Sequence, residues 1–294
     1  MNGNLEKVVE LSDVERALLV EKKATCPFIG AAVAQRELPV RNEASNPLAR
    51  IEDVRRLGNT GGGHLGEVLV LFASGNHAHM RDSGALNRLV PDGLFSLEFP
   101  GSQGSHHGHS GILQPDPQVL DSGRFNEESF ARLLSRGKNG LIKRSDVGRF
   151  IAKNVFDDPR STVLGDDTFP TFKREFFGLI TSIALATVRI FDNAADHRDI
   201  QQKFTKLTGQ DNLVGSSGEF GLLFAFLANK PNQEELDGEP ALAVADLRLM
   251  FIEKRLPTGW ETWKKSARDW VKHTEGLLDS AREEYQRLKQ TSTE

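Results

Sequence analysis

The chain has 294 residues with a hydrophobic fraction of 38%, which is enough apolar material to build one large domain or two small ones. Its formal net charge of −4 argues against a general nucleic-acid-binding protein. The single cysteine excludes an intrachain disulfide framework and is typical of a reducing compartment.

The N-terminal residues 1–23 alternate Leu and Val with charged residues and lack the apolar core of a signal peptide. We therefore predict an amphipathic N-terminal helix, assigned to a segment 1–24, and a cytoplasmic protein. The most apolar run, 178–188, is much shorter than the ~20 residues that cross a bilayer, so we expect no membrane span.

The run Thr-Cys-Pro-Phe-Ile-Gly at 25–30 opens the next predicted helix, because Pro27 suits a first helical turn. Cys26 then lies at a helix N-terminus, where unpaired N–H groups and the helix dipole favour a thiolate over a thiol. A thiolate there is a good metal ligand or nucleophile. The alternative is a small buried hydrophobic residue.

Residues 82–124 are rich in Gly, Pro, Ser and His and have little helical periodicity. They predict a long Gly/His-rich loop, ordered over the site by its embedded apolar residues. Six of the eight histidines lie in or just before this loop: His64, His77, His79, His106, His107 and His109. Imidazoles at this density bind transition metals or act as acid–base groups, and we expect His109 to enter the active site.

The remaining pattern predicts helices as far as the C-terminal segment. Asn126 is expected to cap a short helix, and Ser145 or Asp146 to start another. Apolar helices are predicted at 168–191 and 219–227, a shorter amphipathic helix at 196–207, and a helix at 244–251 with Pro257 beyond it. A final helix is expected to carry Trp260, Trp263 and Trp270 on one stripe that docks on the domain.

Three stretches resemble, in the same chain order, the fungal chloroperoxidase and unspecific peroxygenase family of haem-thiolate proteins. The first is Cys26-Pro27, followed by Leu-Pro at 38–39, where the family has a haem-ligating Cys in a Pro-Cys-Pro stretch. The resemblance implies that Cys26 is the proximal ligand to the iron of haem b, with Pro27, Phe28 and Ile29 beside the cofactor.

The second stretch, 125–150, is similar to the family's Phe-Asp-Leu stretch and the motif Glu-His-Asp-x-Ser-x-Ser/Thr-Arg-x-Asp. Arg144 and Asp146 match, but the acidic and seryl positions that hold a magnesium ion in the family are here Gly137 and Leu141. We therefore predict that the magnesium site is lost. Lys138 stands where the family has a distal His or Gly, so its ammonium is a candidate to replace the ion's charge near a haem propionate. The alternative is a solvated loop lysine.

The third stretch, 212–260, contains sequences similar to the family's Thr-Ala-x-Glu helix and its later Phe-x-x-Glu-Arg-Leu-Pro. The resemblance implies that Glu219 is the distal acid–base catalyst, and the alternative is a carboxylate favoured by the dipole in a first helical turn. Phe220 is expected to contact the cofactor and, with Phe95, Phe99 and Phe224, to line a substrate channel. Asn212 stands at the position of the family's arginine partner.

Together these features predict a mainly α protein with a single-domain chloroperoxidase-like helical fold over 25–260 and a C-terminal helix over 261–294. The implied function is a haem-thiolate peroxidase or peroxygenase that uses hydrogen peroxide to oxidise a small apolar or aromatic substrate. Two alternatives stay open: a non-catalytic haem-binding or sensing protein on the same fold, and a haem-free transition-metal enzyme that uses the histidines of 64–109.

Overall fold

The computed structural model describes residues 9–24, 26–43, 46–58, 94–96, 113–116, 121–157, 213–227, 230, 234–263 and 266–293. Within these ranges the chain is mainly helical, as predicted from the sequence. No helix in them has both the length and the apolar character that a bilayer crossing requires.

Eight α-helices lie in the described ranges. They are α1 (Asp13–Lys23), α2 (Pro27–Ala34), α3 (Ile51–Gly58), α4 (Glu127–Leu134), α5 (Arg144–Asp157), α6 (Leu213–Leu227), α7 (Val244–Phe251) and α8 (Ala267–Ser292). A 3₁₀ turn, Trp260–Thr262, lies between α7 and α8.

The first two helices pack against each other near the single cysteine. α1 begins at a capping box, in which the Ser12 N–H donates to the Glu15 carboxylate at 2.8 Å and the Glu15 N–H donates back to the Ser12 hydroxyl at 3.3 Å. Pro27 occupies the first turn of α2, as predicted. The helices are in ordinary contact at Gly30, where an added Cβ would lie 3.5 Å from Val20 Cγ1.

The described strands are short and pair antiparallel. They are β1 (Val9–Glu10), β2 (Arg41–Glu43), β3 (Asn46–Arg50), β4 (Leu94–Ser96), β5 (Leu113–Asp116), β6 (Asp121–Phe125), β7 (Leu141–Lys143), β8 (Glu235–Leu236) and β9 (Glu239–Ala243). They form one sheet in the order β1-β2-β3-β4, a β5-β6 pair, and a sheet in the order β7-β9-β8.

The third sheet joins two segments, α4–β7–α5 and α6–β8–β9–α7. Ile142 of β7 pairs with Leu242 of β9, and both side chains are buried. Across the same junction, the Ser145 hydroxyl donates to the Glu239 carboxylate at 2.7 Å. The pairing therefore ties the start of α5 to the strand that leads into α7.

The long helix α8 packs along both α5 and α6 and closes the larger hydrophobic core. Gly148 of α5 lies against the α8 backbone, since an added Cβ would be 2.8 Å from the Leu277 carbonyl oxygen. A smaller core surrounds α1 and α2, and Phe28 and Trp260 pack against both cores. These two rings therefore lie at the boundary between the two parts of the fold.

One prediction near the N-terminus is corrected by the structure. In the described part of the predicted N-terminal helix, α1 begins only at Asp13, where Ser12 caps it, and the strand β1 precedes it. The run 41–48 is polar and rich in turn-forming residues, yet β2 and most of β3 lie in it. Pairing between neighbouring strands, which local composition does not reveal, produces this sheet.

The three tryptophans do not share one helix, so that prediction is wrong. Trp260 lies in the 3₁₀ turn, Trp263 is extended, and only Trp270 lies in α8. Gly259 adopts a left-handed backbone with φ 81°, and Ser266 caps a new helix by accepting the Asp269 N–H. The Gly259 turn and the Ser266 cap therefore interrupt the single helix that was predicted to carry the three tryptophans.

Other predicted elements lie outside the described residues. These are the helices at 168–191 and 196–207 and most of the 82–124 loop, of which only β4, β5 and residues 121–124 are described. Among the described elements, Asn126 caps α4 as predicted, and its side chain accepts the Ser129 N–H at 3.0 Å.

Candidate functional site

Cys26 is the N-cap residue of α2, as the sequence predicts. Its backbone is extended, with φ −95° and ψ 120°, and its carbonyl accepts the Gly30 N–H at 2.8 Å. The residue is only 6% exposed, and its side chain makes no capping hydrogen bond to the helix. The sulfur is therefore a buried group at the start of a buried helix.

The ionisation of Cys26 differs from the prediction. Loss of solvation on burial, followed by the charge of Glu219, raises the pKa of the Cys26 thiol to about 12. The N–H groups of Ile29 and Phe28 lower this pKa, but they do not offset the burial. The prediction of a thiolate at the helix N-terminus is thus wrong for the folded polypeptide, in which Cys26 is a thiol at neutral pH.

Glu219 lies near the middle of α6, and the residue is 3% exposed. Because α6 begins at Leu213, Glu219 is well past the first helical turn, and the alternative interpretation as a first-turn residue is wrong. Its effect on the pKa of Cys26 requires the two side chains to lie within electrostatic reach of each other. The fold therefore brings the predicted proximal ligand and the predicted distal acid together.

Aromatic rings connect the helices that carry these two residues. Phe28 of α2 packs on Phe226 of α6 with ring centroids 4.7 Å apart, and on Trp260 at 6.2 Å. Phe226 in turn contacts Trp263 at 5.3 Å. Pro27 and Ile29 are buried, and Ile29 belongs to the smaller core. An apolar, ring-rich environment thus surrounds the α2–α6 junction.

Phe220 and Phe224, the other rings of α6 predicted for the site, pack on α5 and α8. Phe220 packs edge to face on Phe150 of α5 at 6.3 Å, and Phe224 stacks on His273 of α8 at 5.4 Å. These contacts direct both rings toward α5 and α8. Their predicted contacts with a cofactor and with substrate stay predictions.

Lys138 lies at the exposed tip of a tight turn between α4 and β7. Its N–H donates to the Leu141 carbonyl at 2.8 Å, the Leu141 N–H donates back at 3.0 Å, and Asn139 and Gly140 between them have φ of 54° and 75°. At Gly137 an added Cβ would lie 3.0 Å from the Leu141 carbonyl oxygen. This turn has no room for the acidic side chain that the resembling family carries there.

The two matching residues of the same motif contact other parts of the protein. The Arg144 guanidinium lies against Gly276 of α8, and its Nε has no hydrogen-bond partner among the described residues. Asp146 forms an ion pair with Arg149 at 3.0 Å on the surface of α5. Both residues therefore contribute to the α5 side of the fold.

The sequence analysis missed the role of two buried residues in α8. Trp270 donates its indole N–H to the carbonyl oxygen of Gly218 in α6 at 3.1 Å. Gly218 directly precedes Glu219 in the sequence. His273 is 2% exposed, and loss of solvation, followed by the charge of Arg144, lowers its pKa to about 4. The available signal was their spacing of three residues, which places both on one side of a helix.

Several predicted site residues lie outside the described residues. These are His64, His77, His79, His106, His107, His109, Phe99 and Asn212. Phe95 is in β4, opposite Ala49 of β3. Across the described ranges, no group of three or more His, Cys, Asp or Glu side chains is arranged to hold a metal ion.

Comparison with protein-family models, with curated proteins and with solved structures finds no match to this chain. The functional argument therefore depends on the chemistry of the residues at the α2–α6 junction.

Proposed function

We propose that this chain is a haem-thiolate oxidoreductase of the peroxidase or peroxygenase type, with a chloroperoxidase-like fold. Cys26 is the proximal ligand to the iron of haem b, and Glu219 is the distal acid–base group. The substrates are hydrogen peroxide and a small apolar or aromatic molecule. The three sequence stretches that resemble the haem-thiolate family motivate this proposal.

One structural observation carries the proposal. Two residues from distant parts of the sequence, Cys26 and Glu219, are both buried and lie within electrostatic reach of each other. A carboxylate buried within electrostatic reach of a thiol is costly, because both groups lose solvation and the carboxylate's charge opposes ionisation of the sulfur. A haem-thiolate site, which requires one thiolate ligand and one acid–base group, accounts for both buried residues.

The donor set fits a haem iron in two respects. Cys26 presents its sulfur at the N-terminus of α2, where the N–H groups of Phe28 and Ile29 partly oppose the rise in the pKa of the thiol caused by burial and Glu219. The surrounding side chains of α2 are small or apolar, and the rings of Phe28 and Trp260 adjoin them. Apolar walls with few polar groups are typical of cofactor pockets.

The residues of this chain have separate tasks in the proposed reaction. Thiolate-ligated haem, when bound, supplies the electron donation that favours cleavage of the peroxide O–O bond. Cys26 would hold the iron through its sulfur, as a thiolate. A carboxylate oxygen of Glu219 takes a proton from peroxide and returns it to the leaving oxygen. The apolar surroundings restrict water and favour an apolar or aromatic substrate.

One observation favours a second candidate, a haem-binding or sensing protein that does not turn over substrate. Since the pKa of Cys26 is raised to about 12, protons compete strongly with the metal for the sulfur. Such competition makes ligation readily reversible, which suits a sensor better than a stable catalyst. Turnover of peroxide with an electron-rich aromatic donor separates the two candidates.

The deciding experiment is the absorption spectrum of the full chain expressed with haem supplementation, reduced and exposed to carbon monoxide. Wild type, Cys26→Ala and Ser217→Ala are compared, because Ser217→Ala removes a similarly small buried group from the α8 side of α6. A strongly red-shifted Soret band in wild type and Ser217→Ala, absent in Cys26→Ala, supports thiolate ligation. Absence of a haem band in all three overturns the proposal, and metal analysis then tests the histidines of 64–109.

A further inference from the structure

Helix α6 presents different sides to two neighbouring helices. Glu219 and Phe226, which are two turns apart and therefore on one side, face α2. There Phe226 packs on Phe28, two residues after Cys26, with ring centroids 4.7 Å apart, and the Glu219 carboxylate lies within electrostatic reach of the sulfur. Any rotation or sliding of α6 along its axis changes where the Glu219 carboxylate lies relative to the sulfur.

The opposite side of α6 is attached to α8 by a hydrogen bond. The Trp270 indole N–H donates to the Gly218 carbonyl at 3.1 Å, and Trp270 is only 1% exposed. Trp270 is also one of the largest fully buried side chains in the described part of the chain. Because Gly218 directly precedes Glu219, this bond fixes α6 at the turn that carries the carboxylate.

Two further contacts hold α6 on the same surface of α8. Gly221 lies so close to Thr274 that a Cβ added to the glycine would overlap the threonine hydroxyl oxygen. One turn later Phe224 stacks on His273, with ring planes inclined by 24°. The close approach fixes the distance between the helices, whereas the Trp270 bond fixes the register along them.

We propose that Trp270 is a positioning residue for Glu219: its hydrogen bond to the Gly218 carbonyl holds α6 in the register that keeps the Glu219 carboxylate within electrostatic reach of Cys26. The role of this carboxylate as acid–base group rests on the proposed function. The placement itself is a property of the polypeptide. Trp270 lies outside the stretches that resemble the haem-thiolate family, so the resemblance does not imply this role.

The Cys26 thiol is a built-in probe of this placement. The chain has one cysteine, so its S–H stretching vibration gives a single infrared band in a spectral region free of other protein bands. The field of the Glu219 carboxylate shifts this band by an amount that falls as the distance between the two groups grows. Glu219→Gln, measured in the full chain purified without haem supplementation, defines the whole effect of the charge.

The test replaces Trp270 by its benzothienyl analogue, which keeps the bicyclic shape and substitutes sulfur for the N–H. Trp270→Phe is the second variant. We expect each to move the band in the same direction as Glu219→Gln and by at least half as much. In combination with Glu219→Gln, neither adds a further shift, because Trp270 acts through Glu219. Phe150→Leu, which alters a buried ring that packs on Phe220 of α6 from the α5 side, is the matched control and leaves the band close to its wild-type position.

Two results overturn the proposal: an unchanged band in a folded Trp270 variant, or shifts for Trp270 and Glu219 that add in the combined variant. An unchanged band in Glu219→Gln also overturns it, because the carboxylate then does not act on the sulfur. The haem spectrum is a separate measurement. Its failure together with a coupled infrared result removes the haem assignment and leaves the positioning role intact.

Discussion

Replacing Gly148 by alanine tests the packing of α8 on α5. An added Cβ would lie 2.7 Å from Ser280 Cβ and 2.8 Å from the Leu277 carbonyl oxygen, whereas ordinary contact begins at 3.4 Å. The α8 backbone must therefore move by about half an ångström or more, and overpacking of this kind typically costs about 1–3 kcal/mol. Alanine recovers about 1 kcal/mol through its better helix propensity. We expect a net loss of up to about 2 kcal/mol in the free energy of unfolding.

Gly30→Ala is the matched control, because this glycine also lies in a helix and its added Cβ would make only ordinary contacts at 3.4 and 3.5 Å. We expect it to stabilise the protein by up to about 1 kcal/mol. Urea unfolding, followed by tryptophan fluorescence and far-ultraviolet circular dichroism, measures both variants. A Gly148→Ala protein as stable as Gly30→Ala would refute the close contact between α5 and α8.

Three other predictions follow from the same structure. Since the pKa of His273 is lowered from 6.5 to about 4, the unfolded chain binds this proton more readily than the folded chain, so stability falls as pH decreases from about 6.5 toward 4. The loss amounts to about 3 kcal/mol, and His273→Phe should remove it from the pH dependence of urea unfolding. Cys26, with a pKa of about 12, should react with a disulfide reagent at pH 8 much more slowly in the folded chain than in the unfolded chain. Mass spectrometry should show that Glu219→Gln increases the slow labelling of the folded chain, because the carboxylate's charge no longer opposes ionisation of the thiol. Gly137→Glu restores an acidic residue of the resembling motif, and it should destabilise the turn by about 1–3 kcal/mol. Added magnesium should not stabilise this variant. Gly137→Ala separates the steric effect of the side chain from the effect of its charge.

Local signals in the sequence predicted the helix starts that bear on the site. Pro27 marked the first turn of α2 and placed Cys26 at its N-cap, because a proline there loses no hydrogen bond. Asn126 marked the start of α4 because its side chain can accept a backbone N–H of the first helical turn, here that of Ser129. Such signals act within one turn of the chain, so a single sequence contains them.

The features that the sequence did not reveal depend on burial against segments that are distant in the sequence. Residues 214–218 are mostly Gly and Ser and are typical of a loop, yet they form the first turns of α6, because their small side chains allow α8 to approach. The ionisation of Cys26 was misjudged in the same way. The helix N-terminus next to it is visible in the sequence, whereas its loss of solvent and its proximity to Glu219 arise only in the folded protein.

The packing of α8 over α5 and α6 has a consequence for the order of events during synthesis. Helix α6 is buried on nearly every side, and much of its cover is α8, which follows it by some forty residues in the chain. A nascent chain that has released α6 from the ribosome therefore exposes an apolar helix until α8 emerges. Exposed apolar surface of this kind is what chaperones bind, and translational pausing between the two helices should increase aggregation.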